Sequence, residues 1–301
     1  MEFDCMDAAG PDPGSFAQER FSRGCRRSAG MWRPVDRGDR VPAVRAAPGQ
    51  VIVTMPFDGD QGDHKSAVLT LLAEEPAEPD DRPALVGRLQ RLCRAAERDL
   101  PACGVGVSWV SESGGLITAA ASSQDSIRLE ELQFTMGEGP CLAAVASRSP
   151  VLVPDLGEAA NATWLGYGPA AHEHGVRAVF AFPLQVGAAR LGAMDVYRDE
   201  VGGLSSWALS RALSYADVAV ETMLKAHGDA GGPGSLWSQG DDTRFEVYQA
   251  QGMVMVQLGV GPDEALSRLR AYAFAHDRRL REVANDVIGR SVELEPDDPH
   301  Q

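Results

Sequence analysis

The chain has 301 residues, more than one average hydrophobic core organises, so the length predicts two domains joined by looser segments. Hydrophobic residues make up 44% and charged residues 24%, which is ordinary for a globular protein and excludes a fibrous or wholly coiled chain. The formal net charge of -15 argues against indiscriminate coating of DNA, because an acidic surface repels polyanions at long range.

The five cysteines are widely scattered and include no Cys-x-x-Cys pair, which argues against a disulfide scaffold or a structural zinc site. They are Cys5, Cys25, Cys93, Cys103 and Cys141. The amino terminus lacks the basic start and the apolar region of a signal peptide. No run approaches the ~18 apolar residues that span a bilayer. We therefore expect a reduced, cytoplasmic protein with no membrane association.

Residues 1–82 mix glycine, proline, arginine and aspartate with little periodicity, and we predict that this extension is mostly disordered. Residues 51–54 are typical of a short strand, and residues 66–74 of one or two helical turns. Neither has enough partners in the sequence pattern to build a core, so we expect folded structure to begin at Pro83.

From residue 83 the pattern predicts an α+β domain that extends to residue 227. A helix with an apolar stripe at Leu85, Leu89, Leu92 and Ala96 precedes a hairpin over residues 104–123. Helices over residues 125–134 and 141–147, a strand at 151–155 and a second hairpin over 178–197 follow. The fold class is an antiparallel sheet with helices.

A long helix over residues 205–227 closes this domain, with apolar positions that alternate spacings of four and three. These are Leu209, Leu213, Ala216, Val220 and Met223. The stripe fits a helix that lies on its own sheet, and it also fits a four-helix packing between two copies. We favour the second interpretation and expect a homodimer.

Residues 228–240 are typical of a flexible linker, and residues 241–292 predict an all-α three-helix bundle, followed by an acidic tail at 293–301. The first helix is expected to bury Phe245, Tyr248, Gly252, Met255 and Val256. For the second and third helices the predicted buried positions are Ala265, Leu266, Leu269, Tyr272, Ala273, Leu280, Val283, Ala284, Val287 and Ile288.

Motifs for catalysis and cofactors are missing from the sequence. It contains no Gly-x-Ser-x-Gly elbow, no phosphate loop and no His-Glu-x-x-His motif. His172 and His174 stand two residues apart in a helix or loop pattern, where their side chains would diverge. We therefore predict no catalytic residues, no metal ligands and no resident cofactor, and expect that the protein is not an enzyme.

One glycine-rich segment, Met136-Gly-Glu-Gly-Pro-Cys, is typical of a tight turn between two helices beside a pocket. It places Cys141 at a helix amino terminus, where the helix dipole lowers a thiol pKa; the alternative is a small buried residue that closes the loop. A candidate cavity for an unknown small molecule is lined by Phe134, Cys141, Trp164, Tyr167, Phe180 and Phe182, although ordinary core packing explains these residues as well.

Residues 83–225 resemble a GAF domain, the small-molecule sensor module. The resemblance lies in the order of a helix, a hairpin, the segment Phe134-Thr-Met-Gly-Glu-Gly-Pro-Cys, a second hairpin and a long helix. In the C-terminal bundle, the segments Tyr248-Gln-Ala-Gln-Gly-Met-Val, Glu264-Ala-Leu-Ser-Arg-Leu and Arg279-Leu-Arg-Glu-Val-Ala resemble those of an ANTAR domain. That family is an RNA-binding output module of transcription antitermination regulators. The order of the two domains is similar to that of actinobacterial GAF-ANTAR proteins.

The ANTAR resemblance implies that RNA is a partner. The family's frequent Ala-Lys-Gly is here Ala250-Gln251-Gly252, which replaces a cation by an amide that still hydrogen-bonds bases or phosphate. Residues 241–292 hold seven arginines and eight acidic residues, so this region is nearly neutral. The candidate RNA-binding residues are Ala250, Gln251, Gly252, Arg268, Arg270, Tyr272, Arg278, Arg279 and Arg281.

The leading hypothesis is a cytoplasmic regulator in which a small-molecule or redox signal at the GAF-like domain controls two ANTAR-like modules. The paired modules would bind paired hairpin loops, or tandem stem-loops, in leader or nascent transcripts. One alternative is a thiol-dependent redox enzyme or redox sensor that uses Cys93, Cys103 or Cys141. Another is a protein-interaction adaptor whose C-terminal helices bind protein.

Overall fold

The computed structural model describes residues 43–47, 50–53, 61–76, 84–110, 115–157, 163–229, 245–276 and 278–294. These residues all belong to one compact unit that begins at residue 38. Within the described part of the chain, no helix is long and apolar enough to cross a membrane. Most of the predicted linker and acidic tail, and residues 1–42, lie outside the described residues.

An antiparallel sheet forms the centre of the sensor region, and the described strands follow the order β1-β2-β5-β6-β7-β3-β4. The two predicted hairpins are confirmed as β3 with β4 and as β6 with β7. The strand bounds are β1 Ala43–Ala47, β2 Gln50–Val53, β3 Gly104–Val110, β4 Leu116–Ala121, β5 Val151–Val153, β6 Ala178–Val186 and β7 Ala189–Arg198. The hairpins meet where β3 pairs with β7, so segments that are far apart in the chain are adjacent in the sheet.

Helices cover both faces of the sheet. Their bounds are α1 Gln61–Glu74, α2 Ala84–Asp99, α3 Gln124–Met136, α4 Pro140–Ser147, α5 Tyr167–Glu173 and α6 Ser206–Asp229. Because side chains alternate along a strand, β6 directs Phe180, Phe182 and Leu184 into the core shared with α2 and α6. Val179 and Ala181 belong to a second core with α3, α4 and α5 on the opposite face. The predicted α+β class is confirmed.

The structure differs from the prediction of a mostly disordered extension up to residue 82. Helix α1 packs beside α6, and Val68 is buried in the same core as Leu92 and Leu209. Lys65 forms an ion pair with Glu221, and Arg211 donates a 3.0 Å hydrogen bond to the carbonyl of His64. Strands β1 and β2 extend the sheet beyond β5. The sequence pattern missed this packing because the partners of α1 lie about 150 residues away.

The apolar stripe of α6 faces the core of its own domain. Leu209, Ala216 and Met223 are buried there, and Leu213 and Val220 are half-buried against it. The stripe is therefore explained within a single copy of the chain, and it gives no separate support to the predicted homodimer.

Three helices form the C-terminal module: α7 Phe245–Leu258, α8 Pro262–Ala275 and α9 Leu280–Ile288. The predicted stripes of α8 and α9 are confirmed, with Tyr272 and Ile288 half-buried. The predicted face of α7 is wrong in part: Tyr248 and Met255 are half-buried against the module core, but Phe245 is 66% exposed and Val256 is 86% exposed. Val247, Ala250, Gln251 and Val254 are the buried positions of α7. The buried face of α7 thus differs from the predicted apolar face, and it includes the polar Gln251. The Gln251 side chain donates a 2.7 Å hydrogen bond to the carbonyl of Pro262.

Candidate functional site

The turn between α3 and α4 is built by two glycines. Gly137 ends α3 with φ 68°, and Gly139 precedes α4 with φ 141°, both conformations that favour glycine. A side chain at Gly139 would also meet Gln133, and one at Gly137 would meet the guanidinium of Arg270. The prediction that this glycine-rich segment forms a tight helix-to-helix turn is confirmed.

A buried polar cluster lies between α3 and the sheet. The Tyr197 hydroxyl donates a 2.7 Å hydrogen bond to Oε1 of Glu130, and the Ser108 hydroxyl donates a 2.7 Å bond to Oε2. The side-chain amide nitrogen of Gln133 donates a 2.5 Å hydrogen bond to Oδ2 of Asp195. The side-chain oxygen of Gln133 accepts a 2.8 Å hydrogen bond from the backbone N–H of Cys141. Gln133 thereby connects the carboxylate of β7 to the first turn of α4.

Burial dominates the electrostatics of this cluster. It raises the pKa of Asp195 well above the ordinary value, and the charge of Glu130 adds to the rise. Hydrogen bonds from Gln133, Cys141 and Tyr197 oppose that rise. The pKa values of Tyr167 and Tyr197 are also raised, first by burial and then by the charges of Glu130 and Asp195.

Small residues of β3 make room for the cluster. Gly106 pairs directly with Asp195, and a side chain at Gly106 would collide with the carboxylate of Glu130. Gly104, Gly106 and Ser108 occupy alternate positions, so all three face α3, whereas Val105 and Val107 face the other core.

The cluster residues were not predicted from the sequence as site residues; they are Ser108, Glu130, Gln133, Asp195 and Tyr197. The sequence contained one indication of this cluster: Asp195 is a charged residue within the apolar run of β7. The strand that pairs with it, β3, has small residues at alternate positions.

A cavity of about 240 Å³ opens from this cluster toward α8. Glu130, Gln133, Phe134 and Cys141 line its sensor side, and Leu266 and Arg270 of α8 line the other side. The cavity therefore has acidic, basic and apolar groups within one small volume, which suits a small polar molecule. Its walls come from both modules of the chain.

Phe134 and Arg270 join the two modules at the cavity. Nη2 of Arg270 donates a 2.5 Å hydrogen bond to the Phe134 carbonyl, and the guanidinium carbon lies 5.2 Å from the Phe134 ring centroid. The Phe134 ring also meets the ring of Tyr248 edge-on, with centroids 6.2 Å apart. Phe134 thereby belongs to the hydrophobic core of the C-terminal module.

The six candidate pocket residues are not brought together. Phe134 and Cys141 line the cavity. Trp164 and Tyr167 are buried in the core beneath α3, and Phe180 and Phe182 face the opposite core beneath α2 and α6. Glu138 of the glycine-rich turn accepts hydrogen bonds from the backbone N–H groups of Gly166 and Tyr167, and so holds the start of α5 against that turn.

The candidate RNA-binding residues of α7 differ in their exposure, and those of α8 contact neighbouring side chains. Ala250 and Gln251 are buried, which suits packing, whereas Gly252 is exposed. Arg268 pairs with Glu264 at 3.2 Å. Tyr272 stacks on His276 with ring centroids 4.0 Å apart.

The arginines around α9 are more accessible. Arg279 precedes the helix and is exposed. Arg281 is exposed and pairs with Glu246 at 2.9 Å, and half-buried Arg278 pairs with Asp286 at 2.6 Å. A backbone hydrogen bond, followed by the hydrogen bond from Arg281, lowers the pKa of Glu246, and the hydrogen bond to Asp286 raises the pKa of Arg278. The structure therefore presents Arg279 and Arg281 on one module surface, whereas Arg270 is engaged by the sensor.

The cysteines of the described residues are reduced. Cys93 is buried beneath α6, and burial raises the pKa of its thiol well above the ordinary value. Cys141 is buried beside Glu130 and Asp195, and Cys103 is partly exposed. His172 and His174 lie at the end of α5, where the ring of His174 hydrogen-bonds the Ala170 carbonyl.

Comparison with known proteins defines a sensor module followed by a helical output module. Residues 87–214 match the GAF domain, and residues 241–288 match the ANTAR domain. The chain therefore has the GAF-ANTAR architecture, which is that of a GAF-regulated, RNA-binding antitermination regulator.

Solved structures of GAF-like proteins are similar to the chain at low sequence identity. The GAF domain of a phosphoenolpyruvate-protein phosphotransferase from Coxiella burnetii is 13% identical, with a TM-score of 0.46, and the match covers 57% of this chain and 97% of that one. The free methionine-R-sulfoxide reductase from Neisseria meningitidis, solved with its substrate, is 16% identical, with a TM-score of 0.40. That match covers 59% of this chain and 98% of the reductase. No curated protein sequence matches the chain significantly.

Proposed function

We propose that this protein is a signal-responsive transcription antitermination regulator that binds paired hairpin loops in nascent RNA through its ANTAR domain, under control of the GAF domain. The observation that carries the proposal is the bond between Arg270 and the Phe134 carbonyl. It joins an arginine of the output module to the helix of the sensor that lines the cavity.

The junction supplies a mechanism for control. While Arg270 is bonded to the sensor it is unavailable to RNA. In this proposal, the contact therefore restrains the output module from binding RNA. The cavity has walls on both modules. A small molecule that binds better when the contact between Arg270 and Phe134 is made, or better when it is broken, will therefore shift the population between these two arrangements. The signal acts through this differential affinity, and neither catalysis nor a resident cofactor is needed.

RNA recognition is assigned to the exposed face around α9. Arg279 and Arg281 provide planar guanidinium groups that grip phosphates or stack on bases splayed from a hairpin loop. Two modules from a homodimer would engage two hairpins at once, and linkage of the two sites increases affinity only when the RNA spacing matches. Tandem stem-loops in leader or nascent transcripts are thus the proposed partner.

The experiment measures binding of the full chain to a tandem-hairpin RNA and to each single hairpin by fluorescence anisotropy over a salt series. We expect the tandem RNA to bind about 100-fold more tightly than either hairpin, with affinity that falls as salt rises. Arg279→Glu should weaken binding about tenfold or more. Arg190→Glu is the matched control, because it makes the same charge change at an exposed position near the start of β7.

Four results would contradict the proposal. Absence of binding removes RNA as the partner and leaves the adaptor hypothesis. Binding that is insensitive to salt contradicts recognition through contacts between arginines and phosphates. Equal losses for the Arg279 and Arg190 variants show that net charge alone matters. A tandem preference from a protein that light scattering shows to be monomeric refutes the paired-module mechanism.

The thiol enzyme hypothesis receives less support from the described residues. Cys93 and Cys141 are buried, and the raised pKa of Cys93 disfavours the reactive thiolate. Turnover with a thiol reductant that disappears in Cys103→Ser or Cys141→Ser variants would reverse this conclusion.

A further inference from the structure

Three side chains with metal-ligating atoms converge beneath α3. Glu130 comes from α3, Cys141 from the first turn of α4 and Asp195 from β7. One carboxylate oxygen of each acid and the Cys141 sulfur lie within 4.8 Å of one another, and all three residues are buried. This separation is short enough for one ion to contact three ligands that are far apart in the sequence.

Two further polar atoms in the same place point to an occupant. Oδ1 of Asp195 has no hydrogen-bond partner among the described residues, and the same holds for the hydroxyl of Tyr167. Both side chains are 0% exposed, so water outside the protein does not reach them. After burial, the charges of Asp195, Glu130 and Cys141 raise the pKa of Tyr167, so its hydroxyl lies within electrostatic range of all three residues.

The surrounding hydrogen bonds resemble the outer shell of a metal site. Ser108 and Tyr197 each donate to one oxygen of Glu130, and Gln133 donates to Oδ2 of Asp195 only. These bonds orient both carboxylates and leave Oδ1 of Asp195 available to a ligand. Gln133 also accepts from the backbone N–H of Cys141, so one amide positions two of the three ligating residues.

From these contacts we propose that Glu130, Cys141 and Asp195 bind a divalent transition-metal ion of the Zn²⁺ or Fe²⁺ type. Two carboxylates and a thiolate suit a borderline cation, whereas Mg²⁺ and Ca²⁺ prefer oxygen ligands alone. The cavity supplies an entry path, because Glu130 and Cys141 both line it. No metal ligands were predicted from the sequence, because sequence motifs reveal only ligands that lie close together in the chain. These three residues are brought together by the fold.

The competing explanation is that the two carboxyl groups share a proton and bind no ion. The test uses full-length protein carrying Cys5→Ser and Cys25→Ser, which removes the two thiols outside the described residues. After chelator treatment and removal of the chelator, Co²⁺ is titrated while the near-ultraviolet absorption of a cobalt–thiolate bond is recorded. Zn²⁺ affinity is then measured by competition.

We expect one equivalent of Co²⁺ to bind with a thiolate charge-transfer band, Zn²⁺ to displace it, and Mg²⁺ and Ca²⁺ to leave it in place. Cys141→Ser should abolish the band, and Glu130→Gln or Asp195→Asn should weaken Zn²⁺ binding at least about tenfold. Cys93→Ser is the matched control, since that thiol is buried in the opposite core and its loss should leave the band unchanged.

The proposal is overturned if less than stoichiometric Co²⁺ binds, or if the band persists in Cys141→Ser. Should Cys141→Ser fail to fold, Asp195→Asn decides the question: unchanged Zn²⁺ affinity in a variant whose circular dichroism matches the parent also overturns the site. RNA binding is measured separately, so the metal proposal and the proposed function can fail independently.

Discussion

Arg270 of α8 and Phe134 of α3 are joined by a 2.5 Å hydrogen bond from the guanidinium to the Phe134 carbonyl. The same guanidinium lies over the Phe134 ring, and that ring packs into the core of the ANTAR domain. One residue of the sensor therefore contributes to two modules. A movement of α3 would therefore alter a contact that α8 makes.

Phe134→Ala should lower the free energy of unfolding by about 3 kcal/mol, because it removes a buried ring from the junction. Urea unfolding of the full chain measures the change. Phe274→Ala removes the same ring from an exposed position of the ANTAR domain and should cost less than about 0.5 kcal/mol. Equal costs would show that Phe134 makes no special contribution at the junction.

Arg270→Ala and Phe134→Ala should be energetically coupled. The backbone carbonyl remains as an acceptor in Phe134→Ala, so a double-mutant cycle isolates the contact between cation and ring. We expect a coupling of about 1 kcal/mol in urea unfolding. Strict additivity of the two single variants would contradict a direct interaction.

Gln133→Met should destabilise the sensor by about 3 kcal/mol, since it leaves Oδ2 of Asp195 and the N–H of Cys141 with fewer hydrogen bonds in a buried site. Gln133→Glu should cost more, because it adds a third carboxyl group to a buried cluster that already contains Glu130 and Asp195. Gln124→Met is the control, at an exposed position of the same helix. Chemical denaturation orders the three variants, and a harmless Gln133→Met would remove Gln133 as the organiser of the cluster.

Val68→Ala should cost about 2 kcal/mol if α1 belongs to the folded sensor, because Val68 is 0% exposed in the core with α6. Its neighbour Leu69 is 50% exposed, and Leu69→Ala should cost much less. The comparison uses thermal unfolding of the full chain. A reversed order would place the sensor boundary after α1, as the sequence pattern suggests.

Glu97→Gln should stabilise the protein at neutral pH. Burial raises the pKa of Glu97 above the ordinary value of 4.5, and a hydrogen bond with Ser122 opposes the rise. The folded protein therefore holds the proton on Glu97 more tightly than the unfolded chain does. This preference stabilises the fold fully below pH 4.5, and the stabilisation is lost as the pH rises through the raised pKa of the folded state. The advantage of the Glu97→Gln variant in thermal unfolding should accordingly shrink as the pH falls toward about 4.

The control for that experiment is Glu173→Gln, which removes a carboxylate from an exposed position of α5. It should show no comparable dependence on pH. A constant difference between Glu97→Gln and the parent across the pH range would contradict the assigned ionisation.

Much of the fold follows from local patterns. The stripes of α2, α8 and α9 and the two hairpins were predictable because apolar spacing reports which side of a segment is buried. The turn at Gly137 and Gly139 was predictable for the same local reason, since positive φ favours glycine. The face of α7 was not, because Gln251 is buried by a hydrogen bond to Pro262, and a hydrophobic pattern does not register such a bond.

The amino-acid pattern alone establishes the two modules, their order and the arginine-rich character of the second. Tertiary packing establishes which arginine is held by the sensor, where the cavity lies and which acids share a buried site. This division arises from distance along the chain. Arg270 and Phe134 are separated by 136 residues, and Gln133 and Asp195 by 62, so their meeting depends on how the helices and sheet pack. Local periodicity determines which face of each element is buried, and packing determines which polar groups meet there.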